Sequence, residues 1–200
     1  MTLHDGRPVV VAAFEPFAGR SRNRARDAVR LLDGEDIEGH RIELAELPTI
    51  YAALPQTLAG LFTRNPRLML LVGEAASART LLVERLAVNV AHAGIRDNAG
   101  ARPIDEELVH GGEPARRVSF DPRTAANASL AAAVPCDVSS HAGTFCCNAA
   151  LYYALGQSDL HPQKPRVAFV HVPARFPWAR DRRAAQGLYA IAKNLVSALS

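Results

Sequence analysis

The sequence predicts an α/β fold in which helices cover both faces of a parallel sheet. Two runs, at residues 9–14 and 68–73, have the near-continuous hydrophobicity of strands that are buried on both faces. Segments with helical spacing of apolar residues lie between such runs. An alternation of strand and helix along one chain is typical of a parallel sheet with helices on both sides.

The first half of the chain follows this alternation. Leucines at 54, 58 and 61 recur at the spacing of one helix face, whereas apolar and polar residues alternate at 41–47 as in a strand. Gly34 ends the first helical segment, and Gly73 ends the third strand. The predicted elements are a strand at 9–14, helix at 23–32, strand at 41–47, helix at 51–64 and strand at 68–73.

The second half is less regular. Residues 80–90 are apolar enough for a strand or hairpin, which we favour over a helix. Residues 94–118 carry turn-forming residues and are predicted to form a long surface excursion, a kind of loop that is often functional. The remaining predicted elements are helices at 122–133 and 144–155, a strand at 166–172 and a helix at 178–199.

Composition limits the class of protein. Two hundred residues suit one domain, 1–200, with a full core. The net charge of +3 is too small to indicate nucleic acid, and no aromatic residue interrupts an arginine cluster that we interpret as a solvated loop. Three cysteines without a Cys-x-x-Cys pair favour a reducing compartment. No signal peptide pattern or membrane-spanning run is found at the N-terminus, so we predict a cytoplasmic protein without a membrane partner. The clustered arginines are Arg20, Arg22, Arg24, Arg26 and Arg30.

Cys147 is the candidate nucleophile. It follows Gly143, which permits a tight turn, and Thr144, which we predict to be the N-cap of a helix. Cys147 then lies in the first helical turn, where free amides and the helix dipole stabilise a thiolate. Cys146 points elsewhere, and Cys136 is interpreted as structural. The alternative for Cys147 is an ordinary small core residue.

His171 and Glu84 are candidate partners of this thiol. His171 lies near the end of a buried strand, and the carboxyl ends of parallel strands are where open α/β sheets place their sites. A core histidine with a hydrogen-bond partner is the alternative. Glu84 stands among apolar residues and needs a cation or donor if it is buried. A salt bridge to an arginine and a role in orienting an imidazole both remain open for Glu84.

Other motifs bear on ligands. Phe14 and Phe17 lie in a turn that Pro16 and Gly19 form after the first strand, and they suggest an apolar pocket wall, or else packing beneath the loop. Neither a glycine-rich phosphate loop nor a metal-ligand spacing of the seven histidines is present in the sequence.

Segments along nearly the whole chain resemble, in order, the motifs of pyroglutamyl peptidase I. The match at residues 142–148, Ala-Gly-Thr-Phe-Cys-Cys-Asn, is complete, and the ordered set is more specific than any one member. The segments are Ala13 to Gly19, Pro48-Thr49, Glu84 to Asn89, Ile95 to Gly100, Ala142 to Asn148 and Phe169 to Pro173.

The resemblance implies a cysteine peptidase that removes N-terminal pyroglutamate from peptides. It further implies a Cys147–His171–Glu84 triad and a three-layer α/β/α sandwich with a mostly parallel twisted sheet. No cofactor or metal is implied, and a homo-oligomer, tetramer or dimer, is expected. The positions that match the family's ring pocket are Phe14, Phe17, Thr49, Ile95 and Phe145.

Departures from the family pattern leave alternatives open. Glu74 stands where a glutamine near the substrate is usual, Ala78 stands where an arginine is common, and Gly94 replaces another frequent arginine. The alternatives are a thiol amidase of the same fold with a different N-acyl or cyclic-amide substrate, and a catalytically silent binding homologue. A nucleic-acid binder is a more distant alternative.

Overall fold

The computed structural model describes residues 5–175 and 181–198. In chain order its strands are β1 (Val9–Phe14), β2 (Asp36–Ile37), β3 (His40–Leu47), β4 (Leu68–Ala75), β5 (Leu81–Glu84), β6 (Leu86–Val88), β7 (Ala115–Arg117), β8 (Cys136–Ser139) and β9 (Arg166–Pro173). Its helices are α1 (Arg24–Val29), α2 (Leu54–Phe62), α3 (Pro122–Ala131), α4 (Cys146–Leu160) and α5 (Asp181–Ser197), with 3₁₀ turns at Arg30–Leu32 and Tyr51–Ala53.

A seven-stranded sheet forms the middle layer, in the order β2-β3-β1-β4-β9-β5-β8. Strands β3, β1, β4 and β9 are parallel to one another, as the apolar runs predict. The pair β5 and β8 is parallel within itself but runs antiparallel to β9, and the short β2 is antiparallel to β3. The fold is therefore a mostly parallel α/β sandwich.

Alternate residues of the strands face two separate cores. One core joins the sheet to α1, α3 and α5, and the other joins it to α2 and α4. On β4, Leu70 and Val72 belong to the first core while Met69 and Leu71 belong to the second, as the period of two in a strand requires. The helices on both faces confirm the predicted three layers.

The irregular middle of the chain is mostly loop. The strand preference at 80–90 is confirmed by β5 and β6, which pair with different partners and not with each other. The surface excursion holds only the short β7 and an isolated bridge between Ala91 and Glu106 among its regular pairings. The final helix begins, within the described residues, at Asp181; predicted positions 178–180 and 199 lie outside them.

Helices long and apolar enough to cross a membrane are not found in residues 5–175 and 181–198.

Candidate active site

His171 and Glu84 meet inside the sheet. Strand β5 runs antiparallel to β9 with Leu82 opposite His171. Glu84, two residues further along β5, therefore lies farther from the carboxyl end of β9 than His171 does, and so deeper in the sheet. The Nδ1 atom of His171 is 2.7 Å from Oε1 of Glu84, and Glu84 is only 1% exposed. With the carboxylate as acceptor, Nδ1 donates and Nε2 is left for another partner. Of the two interpretations left open for Glu84, the geometry has the imidazole as partner, not an arginine.

Cys147 lies on the same side of the sheet as the two partners. It is in the first turn of α4, and the position that a β-carbon on Gly73 would occupy is 2.8 Å from its Sγ atom. Gly73 is paired with His171 across β4 and β9. Cys147 hydrogen-bonds His171, so one imidazole touches both the thiol and the buried carboxylate. Gly73, which was not predicted as a site residue, leaves the space in which the sulfur sits.

Burial alone would lower the pKa of His171, because the charged imidazolium loses its hydration. The negative charge and hydrogen bond of Cys147, followed by those of Glu84, outweigh burial and raise the pKa to about 9. The protonated, imidazolium form of His171 is therefore favoured near neutral pH.

Helix α4 begins differently from the prediction. Thr144 is not its N-cap: the helix is capped by Phe145, whose side chain accepts no hydrogen bond. The Thr144 hydroxyl instead donates to the carbonyl of His92, at 2.8 Å, and ties this loop to the surface excursion. The first-turn amides of α4 are thus left without a side-chain cap and can stabilise negative charge beside Cys147.

Asn148 fixes the start of α4 to β6. Its amide group accepts from the backbone N–H of Val88 and donates to the carbonyls of Val88 and Val90, all between 2.9 and 3.0 Å. The side chain is 1% exposed. Because Asn148 directly follows Cys147, these hydrogen bonds also fix the position of the Cys147 thiol relative to the sheet.

A cavity of about 420 Å³ opens onto the triad. Of the predicted pocket residues, Phe14, Phe17, Thr49, Glu74 and Phe145 line it. Ile95 does not line it, because the excursion places this side chain outward, at 46% exposure. Several other lining residues were not among the predicted pocket residues: Asn23, Ala75, Ala76, Ser77, Leu82, His141, Ala142 and Gly143.

Aromatic packing builds one end of the cavity. The rings of Phe17 and Phe145 are 6.2 Å apart, and Tyr51 meets Phe145 edge-on at 5.5 Å. The Tyr51 hydroxyl donates to the carbonyl of Thr144, at 2.9 Å. This end is therefore apolar and held rigidly beside the first turn of α4.

Two loops are joined at the same end by Glu15. Its Oε1 atom accepts from the backbone N–H of Thr49, at 2.9 Å, and from the side chain of Asn98, at 2.8 Å. Asp97 accepts from the backbone N–H of Tyr51, at 3.0 Å, and is nearly buried. The surface excursion thus supports the apolar wall from behind even though Ile95 does not reach the cavity.

Glu74 is not an open carboxylate in the cavity. One of its oxygens accepts from the guanidinium of Arg20 and the other from the backbone N–H of Arg24, the latter at 2.7 Å. Arg20, which belongs to the arginine cluster predicted as a solvated loop, is therefore paired with Glu74 in the wall of the cavity. Among residues 5–175 and 181–198, no three His, Cys, Asp or Glu side chains lie close enough to hold a metal ion.

Comparison with known proteins identifies the family to which the chain belongs. A sequence model described as pyroglutamyl peptidase matches residues 7–185. A pyrrolidone-carboxylate peptidase of Vibrio campbellii is 35% identical over 84% of this chain and 78% of its own, and one of Thermococcus kodakarensis is 33% identical over 96% and 93%. The crystal structure of pyroglutamyl peptidase I from Bacillus amyloliquefaciens superimposes with a TM-score of 0.88 at 26% identity, covering 96% of this chain and 97% of that one. The chain belongs to the pyroglutamyl peptidase family of cysteine peptidases.

Proposed function

We propose that this protein hydrolyses the amide bond that follows an N-terminal pyroglutamate, through a thioester on Cys147. The observation that carries the proposal is the contact of one buried imidazole with both the Cys147 thiol and the Glu84 carboxylate, at the mouth of an apolar cavity. Family membership supplies the substrate class.

The first half of the reaction forms the thioester. The Cys147 thiolate attacks the pyroglutamyl carbonyl carbon, and the negative charge moves to the carbonyl oxygen. First-turn amides of α4, which have no side-chain cap, are the candidate donors to that oxygen, and one such donor is typically worth about 10²–10³ in rate. The C–N bond then breaks as Nε2 of His171 gives its proton to the leaving amine.

The second half returns the enzyme to its starting state. The imidazole, now neutral, takes a proton from water, and the resulting hydroxide attacks the thioester carbonyl. Pyroglutamate leaves with the new oxygen, and the sulfur regains its negative charge beside the imidazolium. Glu84 bonds Nδ1 of His171, so its role is to hold the ring and stabilise its positive charge.

The lactam ring suits the apolar end of the cavity. A pyroglutamyl group has no cationic amine, so its compact ring carbons pack against phenylalanines without the cost of burying a charge, while its lactam N–H and C=O need polar partners. Phe14, Phe17 and Phe145 form that wall, and Thr49 closes it under the loop held by Glu15. Ile95 remains a predicted substrate contact that the present geometry does not support.

A pyroglutamyl fluorogenic amide tests the function. We expect the wild type to hydrolyse it and iodoacetamide to stop the reaction. Cys147→Ala and His171→Ala should abolish turnover. Cys146→Ala is the matched control: this neighbour is buried, burial raises its pKa and keeps it a neutral thiol, and most activity should survive. An inactive wild type would overturn the proposed substrate, and an active Cys147→Ala would overturn the nucleophile.

The proposals for assembly and compartment rest chiefly on the family resemblance. We infer a cytoplasmic homo-oligomer, dimer or tetramer, that binds neither nucleic acid nor membranes. Three large apolar side chains exposed on the surface excursion, Ile95, Ile104 and Val109, support a contact between copies. Light scattering of the purified protein tests the assembly, and a monomeric mass at micromolar concentration would refute it.

A further inference from the structure

The cavity crosses the end of β4 from one face of the sheet to the other. Gly73 faces α4 and the Cys147 sulfur, whereas the next residue, Glu74, points to the opposite face, where the backbone N–H of Arg24 in α1 donates to it. Both Glu74 and Cys147 line the cavity. The nucleophile thus lies between an apolar end on the α4 side and a polar end on the α1 side.

The polar end is bordered by a cation, Arg20, which pairs with the lining residue Glu74 and does not itself line the cavity. The Glu74 side chain is 1% exposed and both of its oxygens are engaged, but the Arg20 side chain that covers it is 45% exposed. A ligand that approaches this ion pair would therefore meet the positively charged guanidinium first. The guanidinium uses one N–H on Glu74, which leaves donors of its planar fork directed away from the carboxylate.

Nearby acidic groups are committed to other partners. Asp27 and Asp181 face Arg22, and Glu46 faces Arg26. Glu15, on the same loop as Arg20, is bound to Thr49 and Asn98 at the apolar end. None of the described ion pairs therefore sets a second carboxylate against Arg20.

We propose that Arg20 is a specificity-determining residue that favours peptides with an acidic residue directly after the pyroglutamate. The inference rests on the proposed function and deepens it. With the lactam in the apolar end and its carbonyl at Cys147, the leaving peptide extends toward the polar end, where a carboxylate side chain meets the outward face of the guanidinium. Arginine and carboxylate pair in a two-bond geometry that a neutral amide does not match.

Two isosteric peptides measure the effect: pyroglutamyl-Glu-Ala amide and pyroglutamyl-Gln-Ala amide, with released pyroglutamate quantified by chromatography. The ratio of their kcat/KM values is the readout. We expect a ratio of about two to five in favour of Glu at low salt, the range for an exposed ion pair, falling toward one as salt is added.

Variants assign the ratio to Arg20. Because Arg20→Met alone leaves Glu74 buried without its cation, the informative variant is Arg20→Met with Glu74→Gln, and its ratio should be about one. Arg30→Gln removes one charge from the same arginine cluster, away from the cavity, and should keep the wild-type ratio. Cleavage of both peptides at equal rates by the wild type, or a preference that survives in the double variant, would overturn this inference alone. Cleavage of neither would overturn the proposed function with it.

Discussion

Replacing Gly73 by alanine tests whether the space at the end of β4 positions the nucleophile. A β-carbon at this position would lie 2.8 Å from Sγ of Cys147 and 2.8 Å from Cζ of Phe169. Comfortable contacts between such atoms are about 3.5–4.0 Å. The sulfur, the ring or the strand therefore has to move by roughly 1 Å.

The two neighbours do not yield equally. Phe169 is fully buried, so its ring has little freedom, whereas Cys147 is partly exposed to the cavity and can rotate. We expect the sulfur to give way and to leave its place beside His171. A displacement of about 1 Å in reacting groups can cost on the order of 10² in rate, and the residual crowding costs about 1–3 kcal/mol of stability.

The assay is kcat/KM on a pyroglutamyl fluorogenic amide, together with the rate of iodoacetamide labelling and the thermal midpoint. Gly60→Ala is the control, because a β-carbon there meets nothing within 4 Å and alanine is the better helix former in α2. Gly73→Ala should fall about 100-fold in both rates with a lower midpoint. Wild-type rates in a folded Gly73→Ala protein would refute the reasoning.

Three further predictions concern the charges and anchors around the thiol. Glu84→Gln removes an anion that raises the pKa of His171. The alkaline limb of the pH profile of kcat/KM, set near pH 9 in the wild type, should therefore move to lower pH. An unmoved limb would contradict the electrostatic coupling between Glu84 and His171. Since the folded-state pKa of His171 is raised above the usual value of about 6.5, its contribution to stability is complete below that pH and is lost as pH rises through about 9. The urea midpoint, measured from pH 6 to 10, should therefore fall more steeply for the wild type than for the double variant His171→Gln with Glu84→Gln. Parallel curves would argue against a contribution of the His171 charge to stability. Asn148→Ala leaves three backbone groups without their hydrogen-bond partner and should lower the free energy of unfolding, measured in urea, by about 2–4 kcal/mol. A loss below about 1 kcal/mol would show that β6 does not depend on this anchor.

The long elements were predictable because their signal is local. The run that became β1 is apolar throughout and those that became β4 and β9 are apolar over most of their length, and the helical spacing of α2 and α5 is clear. The two-residue β2 and four-residue β8 carry no comparable signal, since their pairing depends on partners distant in sequence. The reversed direction of β5 was also beyond a local pattern, although it decides how deep Glu84 lies.

The site was predictable as a set of residues but not as a geometry. Thr144 has the right identity for an N-cap, yet the carbonyl of His92 takes its hydroxyl, a competition that only the folded chain reveals. Ile95 fits a ring-pocket motif, but its loop turns it outward. A glycine at the end of a buried strand is itself a signal of close approach, so Gly73 could have been found from the sequence.

The depth of Glu84 has a chemical consequence. A carboxylate at the open edge of the sheet would be hydrated and would hold an imidazolium only weakly. Strand β5, running against β9, instead carries Glu84 beneath His171, where one oxygen bonds Nδ1 and the other has no hydrogen-bond partner among the described residues. Because a buried charge with so few donors is costly, the carboxylate favours the protonated ring above it. The antiparallel pairing of β5 with β9 therefore keeps the proton on His171 that the leaving amine needs.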